Sequence, residues 1–396
     1  MSASEKCSLG FGYLCYMISK KDLRYHWLTF RKHDLRASGT VFFVALPLCL
    51  GISLASGAPV YSGLLAGILG GLIVAPLSGS QLSVSGPAAG LTAICATVIA
   101  TSGLDVFFIS VAVAGLIQVL LGVFRLGGFT HFIPSAVIKG MLAAIGIILI
   151  SKQIPALIGY DKPDFWSNEL FNIFTFRHVF SNVQSLYQSI TLGAILIAAL
   201  SLSMLWVWKR TLSKQISFLP TSFVTVLFGV LLALFFAKFL PSLGLQPTQF
   251  VQIPDNIFSS VRLPDFGLIT AHIEIWKNGL LICFVATLET LLSIEAIDKL
   301  DAQNRITPQN RELVTQGTGN FLSGLLGGLP ITAVIVRGSA NAEAGARTWL
   351  SGFTHGVWLL LAVLWATNLV NLIPYCVLHI QLILKDIPEV QTINLH

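Results

Sequence analysis

Apolar runs separated by short polar or basic stretches set the rhythm of this chain. They fall at 41–55, 61–77, 85–100, 106–124, 137–150, 190–208 and 218–240. A second set follows at 275–297, 314–326, 331–346 and 352–373, with a weak last run at 376–384. A helix needs about 20 apolar residues to cross a bilayer, so the runs that begin at Ser85, Val137, Val314 and Ile331 are short. Short spans are tolerated where neighbouring protein or a water-filled cavity satisfies the backbone. The pattern predicts twelve segments, and it divides the chain into a basic stretch 1–36, a first set 37–240, a loop 241–274 and a second set 275–396.

Composition agrees with this pattern. Hydrophobic residues make up 54% of the chain, charged residues 11%, and mean hydropathy is +0.79. A soluble domain carries roughly 25% charged residues, so the chain reads as a polytopic membrane protein. The net charge of +6 is concentrated in a few loops, which is a topology signal rather than a nucleic-acid footprint. No signal peptide is seen in 1–36, where Lys6, Lys20, Lys21, Arg24, Arg31, Lys32 and Arg36 flank no apolar core with a cleavage site. The N-terminus is therefore placed in the cytoplasm, and alternation puts the loops 209–214 and 298–311 and Arg347 on that side of the cytoplasmic membrane. The long connections 153–189 and 241–274 then fall outside. Six scattered cysteines and eight histidines show no metal or redox spacing and are read as without a metal or disulfide role.

Small residues add a packing signal. Gly63, Gly67 and Gly71 recur every four residues, which aligns three bare positions on one helix face. That face suits close packing inside the bundle or, alternatively, a homodimer interface. Pro47 removes a backbone donor from the first segment and is expected to kink it.

Two stretches carry the candidate chemistry. Gly327-Gly328-Leu329-Pro330 breaks an apolar run, and Arg337 follows at about membrane depth. A guanidinium does not deprotonate to escape hydrocarbon, so it needs a partner, a cavity or an anion. Earlier, Gly79-Ser80-Gln81-Leu82-Ser83-Val84 leads to Ser85-Gly86-Pro87, where serine can cap, glycine can bend and proline can open a helix. A helix that starts inside the membrane presents unpaired amides and about half a positive charge, which is an anion site. Two such starts with Arg337 favour a small anion over a cation or a neutral sugar.

Glu289 is the other charge at depth, about fourteen residues into its segment or roughly 21 Å along the axis. It shares a face with Leu292, Ser293 and Ala296, while Glu295 points elsewhere. Two roles stay open for it: an ion pair with Arg337, or a site for a coupling proton or cation. Lys139 is read as snorkelling to the interface, and Glu343 and Asp298 as interfacial.

At these residues the chain resembles the SulP family of anion transporters, relatives of sulfate permeases, bicarbonate transporters and prestin. The matching stretches begin with Val44-Ala45-Leu46-Pro47, Leu82-Ser83-Val84-Ser85-Gly86-Pro87 and Leu288-Glu289-Thr290-Leu291-Leu292-Ser293 with Asp298. They continue with Asn310-Arg311-Glu312-Leu313, Gln316-Gly317, Gly319-Asn320, Ser323-Gly324, Gly328-Leu329-Pro330-Ile331-Thr332, Arg337 and Ala344-Gly345-Ala346-Arg347-Thr348. The resemblance implies an all-α polytopic membrane protein with a 7+7 inverted-repeat, uracil-permease-like fold of core and gate. Short extended strands precede its two half-helices. It implies an anion held near Ser85, Gly86, Pro87 and Ala88 and near Ala333, Val334, Ile335, Val336 and Arg337, with elevator-like motion of the core. Glu289 and Ser293 match positions for a coupling ion, proton or sodium, and no other cofactor is implied.

The expected function is secondary active transport of a small inorganic anion such as bicarbonate or sulfate, by symport or exchange. The lipid bilayer is the other expected partner, and no enzyme activity is expected. Ile335 stands where sodium-coupled members carry a hydroxyl, which favours proton coupling or exchange; Leu48 replaces a glutamine frequent in sulfate permeases. Fourteen segments and a STAS domain are the family pattern, whereas this chain reaches a twelfth and stops at His396. It is expected to be C-terminally short, either from a truncated gene or because a partner completes the gate. A transport-inactive remnant and a nucleobase permease of the same fold are the alternatives. An intramembrane hydrolase is set aside: Gly79-Ser80 and Ser83–Gly86 loosely resemble serine-hydrolase loops, but no histidine is expected at depth beside them.

Overall fold

The computed structural model describes residues 29–128, 191–208, 221–252 and 272–378, with single residues 140, 157, 159, 210, 267 and 380. The fifth apolar run, Lys139, residues 1–28, most of the loop 209–214, most of both long connections and 381–396 lie outside the described residues.

Helix α1 (Phe30–Ala55) begins with a π turn over Phe30–Asp34 and continues as helix through Pro47. Gly57, at φ +69, turns the chain back, and Pro59 stands before α2 (Val60–Leu77). A left-handed residue in so tight a reversal favours glycine. Strand β1 (Ser85–Pro87) and a 3₁₀ turn over Ala89–Leu91 lead into α3 (Thr92–Val123). Gly103, at φ 82 and ψ 170, breaks α3 into two arms, which correspond to the third and fourth apolar runs.

Helices α4 (Leu192–Val207) and α5 (Thr221–Phe239) follow, then α6 (Ile273–Asp298) and α7 (Gln309–Leu325). Strand β2 (Ile331–Ala333) precedes α8 (Ile335–Glu343), and the chain continues through α9 (Leu350–Trp365) to the short α10 (Thr367–Val370). The eleventh run is thus not one helix. It turns at Ala366 (φ -111, ψ 15), and the N–H of Ala366 closes the end of α9 on Ala362. Among the described residues, Phe30–Ala55, Val60–Leu77, Ala89–Val123 and Ile273–Asp298 are long and apolar enough to cross a membrane.

Close backbone approach organises the bundle. Gly115 and Gly122 on α3 meet α7, where Gly317 and Gly324 return the contact; a Cβ at Gly317 would lie 2.6 Å from Val119 N. Small residues facing each other let membrane helices gain dispersion contact that lipid cannot match. The α2 glycines do the same. Gly63 sits on the backbone of α1 at Cys49, Gly67 faces Cys49 and Leu359, and Gly71 rests on Gly356 of α9. That face is used within the bundle, so the homodimer alternative for it is set aside.

Helices α4 and α5 form their own apolar cluster with Cys376, Val377 and Ile380, and Phe250 bridges Pro374 beside them. Acids tie the element ends. Asp34 accepts from the Arg347 and Thr348 amides and from the Thr348 hydroxyl, at 2.8, 3.1 and 2.6 Å. Asp298 accepts from the amide and hydroxyl of Thr307, both at 2.7 Å, so its interfacial placement is a cap on the α6–α7 loop. Glu343 is exposed at the end of α8.

The α2–α9 contact is testable. A methyl on Gly356 would lie 2.8 Å from Gly71 Cα, and no rotamer relieves a clash with backbone. Gly356→Ala is expected to lower stability by about 1–3 kcal/mol, read as a reduced melting temperature in detergent.

A candidate anion site at the crossing of two strands

The antiparallel pair β1–β2 joins residues more than two hundred positions apart, with Ser85 opposite Ala333, Gly86 opposite Thr332 and Pro87 opposite Ile331. The ladder continues beyond the strands: Ala88 N–H donates to Pro330 O at 3.0 Å, and Val334 N–H to Val84 O at 3.2 Å. Antiparallel pairing sends α3 and α8 off in opposite directions. Their N-termini therefore flank the ribbon from its two ends, each with its first amides lacking an intrahelical acceptor.

This arrangement corrects the local reading of Ser85-Gly86-Pro87. Pro87 does not open the helix but ends β1, because pairing with β2 keeps the backbone extended through Ala88 (φ -79, ψ 112). Ser85 does not cap either: its hydroxyl takes a hydrogen bond from Gln316 Nε2 at 2.7 Å. Gln316 also donates to Glu312, which accepts from the Ser78 hydroxyl at 2.5 Å and the Gly79 amide at 3.3 Å. On β2, Asn320 clamps Ile331 from both sides, accepting its N–H and donating to its carbonyl at 3.0 Å. Asn320 donates as well to Gln118 at 2.8 Å, and Asn341 donates to Leu82 O at 2.9 Å. Gln316 and Glu312 are one turn apart on α7, but spacing along the chain gave no sign of their bonds to Ser85, Ser78 and Gly79, or of Asn320 to Gln118 and Asn341 to Leu82, which join elements far apart in sequence.

Arg337 lies in the first turn of α8 and is 0% exposed. Its Nη2 reaches Cys49 Sγ at 3.4 Å, while Nε and Nη1 have no hydrogen-bond acceptor. The guanidinium lies against Gly86, whose Cβ position would be 2.8 Å from Arg337 Cζ. The structure thus brings Ser85, Gly86, Pro87 and Ala88 beside Ala333, Val334 and Arg337, with Ile335 and Val336 completing the first turn of α8.

Glu289 makes no direct salt bridge with Arg337 among the described residues. Its Oε1 instead accepts the Gly90 N–H at 3.3 Å, so the carboxylate sits at the start leading into α3, where the helix dipole favours it. Ser293, one turn further along α6, is buried. Glu295 is exposed and pairs with Lys299 at 3.0 Å, as its position on the other face requires.

His355 was missed by sequence reasoning. It is 0% exposed in α9, one turn from Gly352, whose Cβ position lies 3.5 Å from Ser83 O. The expectation of no histidine beside the Ser83 stretch took no account of this buried ring one helical turn from that contact. The available signal was a lone ionisable side chain within an apolar run.

A bundle of apolar helices with polar backbone turned inward at two paired strands defines a polytopic helical membrane protein. The chain belongs to the sulfate permease family, whose profile matches residues 32–392. It is 30% identical over 342 residues to a putative sulfate transporter, YvdB, of Bacillus subtilis, covering 86% of this chain and 61% of the relative. It is 28% identical over 358 residues to the bicarbonate transporter BicA of Picosynechococcus, covering 87% and 59%. The chain thus spans about 60% of the length of these curated relatives. The transmembrane domain of a cyanobacterial BicA superposes with a TM-score of 0.76 at 25% identity, over 91% of this chain and 89% of that one. SLC26A9 shares the fold, with a TM-score of 0.71 at 14% identity over 92% and 59%.

The approach of Gly86 to Arg337 predicts a defect without a change of charge. Gly86→Val places a branched side chain where the guanidinium lies. The variant is expected to be less stable by about 1–3 kcal/mol, read as a lower melting temperature in detergent.

Proposed function

We propose that this chain forms the membrane part of a secondary active transporter for a small inorganic anion of the bicarbonate or sulfate type. The observation that carries the reading is the Arg337 guanidinium, fully buried, with Nε and Nη1 lacking an acceptor between two helix starts. A charge that cannot titrate away and meets no carboxylate selects an anion. Ser85, Gly86, Pro87, Ala88, Ala333, Val334, Ile335, Val336 and Arg337 form its surroundings in this reading. The similarity to a putative sulfate transporter and to bicarbonate transporters supports the substrate class.

Glu289 supplies a rationale for coupling. Its carboxylate is held at the start leading into α3, one of the two positive ends that an incoming anion would use. Two anions there repel, so a proton or sodium ion on Glu289, with Ser293 one turn away, favours anion entry. Ile335 offers no hydroxyl to a sodium ion, and the proposal favours proton coupling or exchange. In this reading 37–240 and 275–396 are inverted repeats, 241–274 is extracytoplasmic and the N-terminus is cytoplasmic. The core that carries the two strands moves as an elevator against a gate built partly from α4 and α5.

Uptake of radiolabelled sulfate and bicarbonate into proteoliposomes, with imposed proton or sodium gradients, tests the proposal. Uptake should follow one gradient and fall to background in Arg337→Ala. Uptake that survives Arg337→Ala unchanged removes this site from transport. Glu289→Gln is expected to bind sulfate still but to lose the response to the gradient, and a retained response moves the coupling role to another residue.

A further inference from the structure

His355 is a second unsatisfied group in the same region. It is fully buried, and neither Nδ1 nor Nε2 has a hydrogen-bond partner. In a neutral imidazole one nitrogen donates and the other accepts. Burying both without partners costs stability, so packing alone favours an apolar residue of similar size.

Glycines on both sides fix the position of the ring. Gly356 brings α9 onto Gly71, and Gly352 brings it within reach of Ala75, whose Cβ lies 3.2 Å from a Cβ built at Gly352. Leu359 is four residues from His355, and therefore on the same face of α9. Its Cδ1 lies 2.9 Å from a Cβ placed on Gly67, the point from which Arg337 Nη1 is 4.0 Å away. One turn of α9 therefore separates His355 from the side chain that meets α2 beside the Arg337 guanidinium. The elements packed on α9 bring few other titratable groups. Helix α1 brings Arg36 and also Cys49, the thiol that Arg337 contacts; its π turn brings Arg31, Lys32, His33 and Asp34; and α2 brings Tyr61. The Asp34 carboxylate is already used by Arg347 and Thr348.

We infer that His355 is a second side-chain ligand of the anion, donating an imidazole N–H from α9 to an anion whose charge is met by Arg337 from α8. The inference rests on the reading of Arg337 as the charge partner. It assigns the anion two donors on separate elements, which suits an oxyanion with several acceptor oxygens.

The test is sulfate binding to the purified 396-residue chain by titration calorimetry, with His355→Leu, His355→Gln and Arg337→Ala. His355→Leu is expected to melt at or above the wild-type temperature yet bind sulfate roughly tenfold more weakly, because only the donor is lost. His355→Gln, which keeps an N–H donor, should recover most of that affinity. Wild-type affinity in a folded His355→Leu, beside loss of binding in Arg337→Ala, overturns this inference and leaves the functional reading intact. Wild-type affinity in Arg337→Ala overturns the functional reading itself. Should His355→Leu not fold, His355→Met and His355→Phe take its place, and wild-type sulfate affinity in either folded variant refutes the assignment.

Discussion

Backbone that leaves helical geometry within a membrane must find every hydrogen-bond partner inside the protein, and the β1–β2 pairing is how this chain meets that constraint. The two three-residue strands satisfy one another, and Ala88 and Val334 extend the ladder at its ends. Side chains supply what the ladder cannot. Asn320 bonds both backbone groups of Ile331, and Ser323 donates to Leu329 O at 2.6 Å. Much else follows from this ribbon. Its antiparallel register makes the chain leave for α3 and for α8 from opposite ends of the same ribbon, each with a positive helix end beside it.

The large features of this arrangement were written locally. Gly327-Gly328-Leu329-Pro330 follows the end of α7 and Ser85-Gly86-Pro87 marks the extended stretch before α3, both by backbone chemistry, and the glycines at 63, 67 and 71 mark a packing face by spacing alone. Arg337 was legible because a charge in an apolar run has no bland explanation. The use made of Pro87 was not legible, since whether it opens a helix or ends a strand depends on β2, which lies far along the chain. The chain from Ser78 through Glu312 and Gln316 to Ser85 was hidden for the same reason. Glu289 was legible as a buried acid but not as the occupant of the start leading into α3, because two partners were chemically reasonable and only geometry separates them.

Glycine has two different duties here. At Gly103 and Gly57 it allows a backbone angle that side-chain-bearing residues rarely adopt. At Gly86 it keeps a strand within contact of a guanidinium from another element. A side chain at Gly86 would leave the ladder possible but take the space of the guanidinium.

The distribution of acids explains why that charge stands open. Asp34 and Glu312 are fully buried, and each is spent on named donors: Asp34 on the Arg347–Thr348 turn, Glu312 on Ser78, Gly79 and Gln316. Asp301 is held by Arg305 at 2.6 Å, where burial pushes the carboxyl up but the bonds from Arg305 and Gln303 hold it below the usual range. Glu289 has gone to Gly90. No carboxylate among the described residues is hydrogen-bonded to Arg337, whose one protein partner is a thiol. Removing a charge from water without a counter-charge is costly, and a fold retains such a cost where something outside the chain relieves it. A small anion does so directly, whereas a cation would add to the repulsion and a neutral solute would leave it in place.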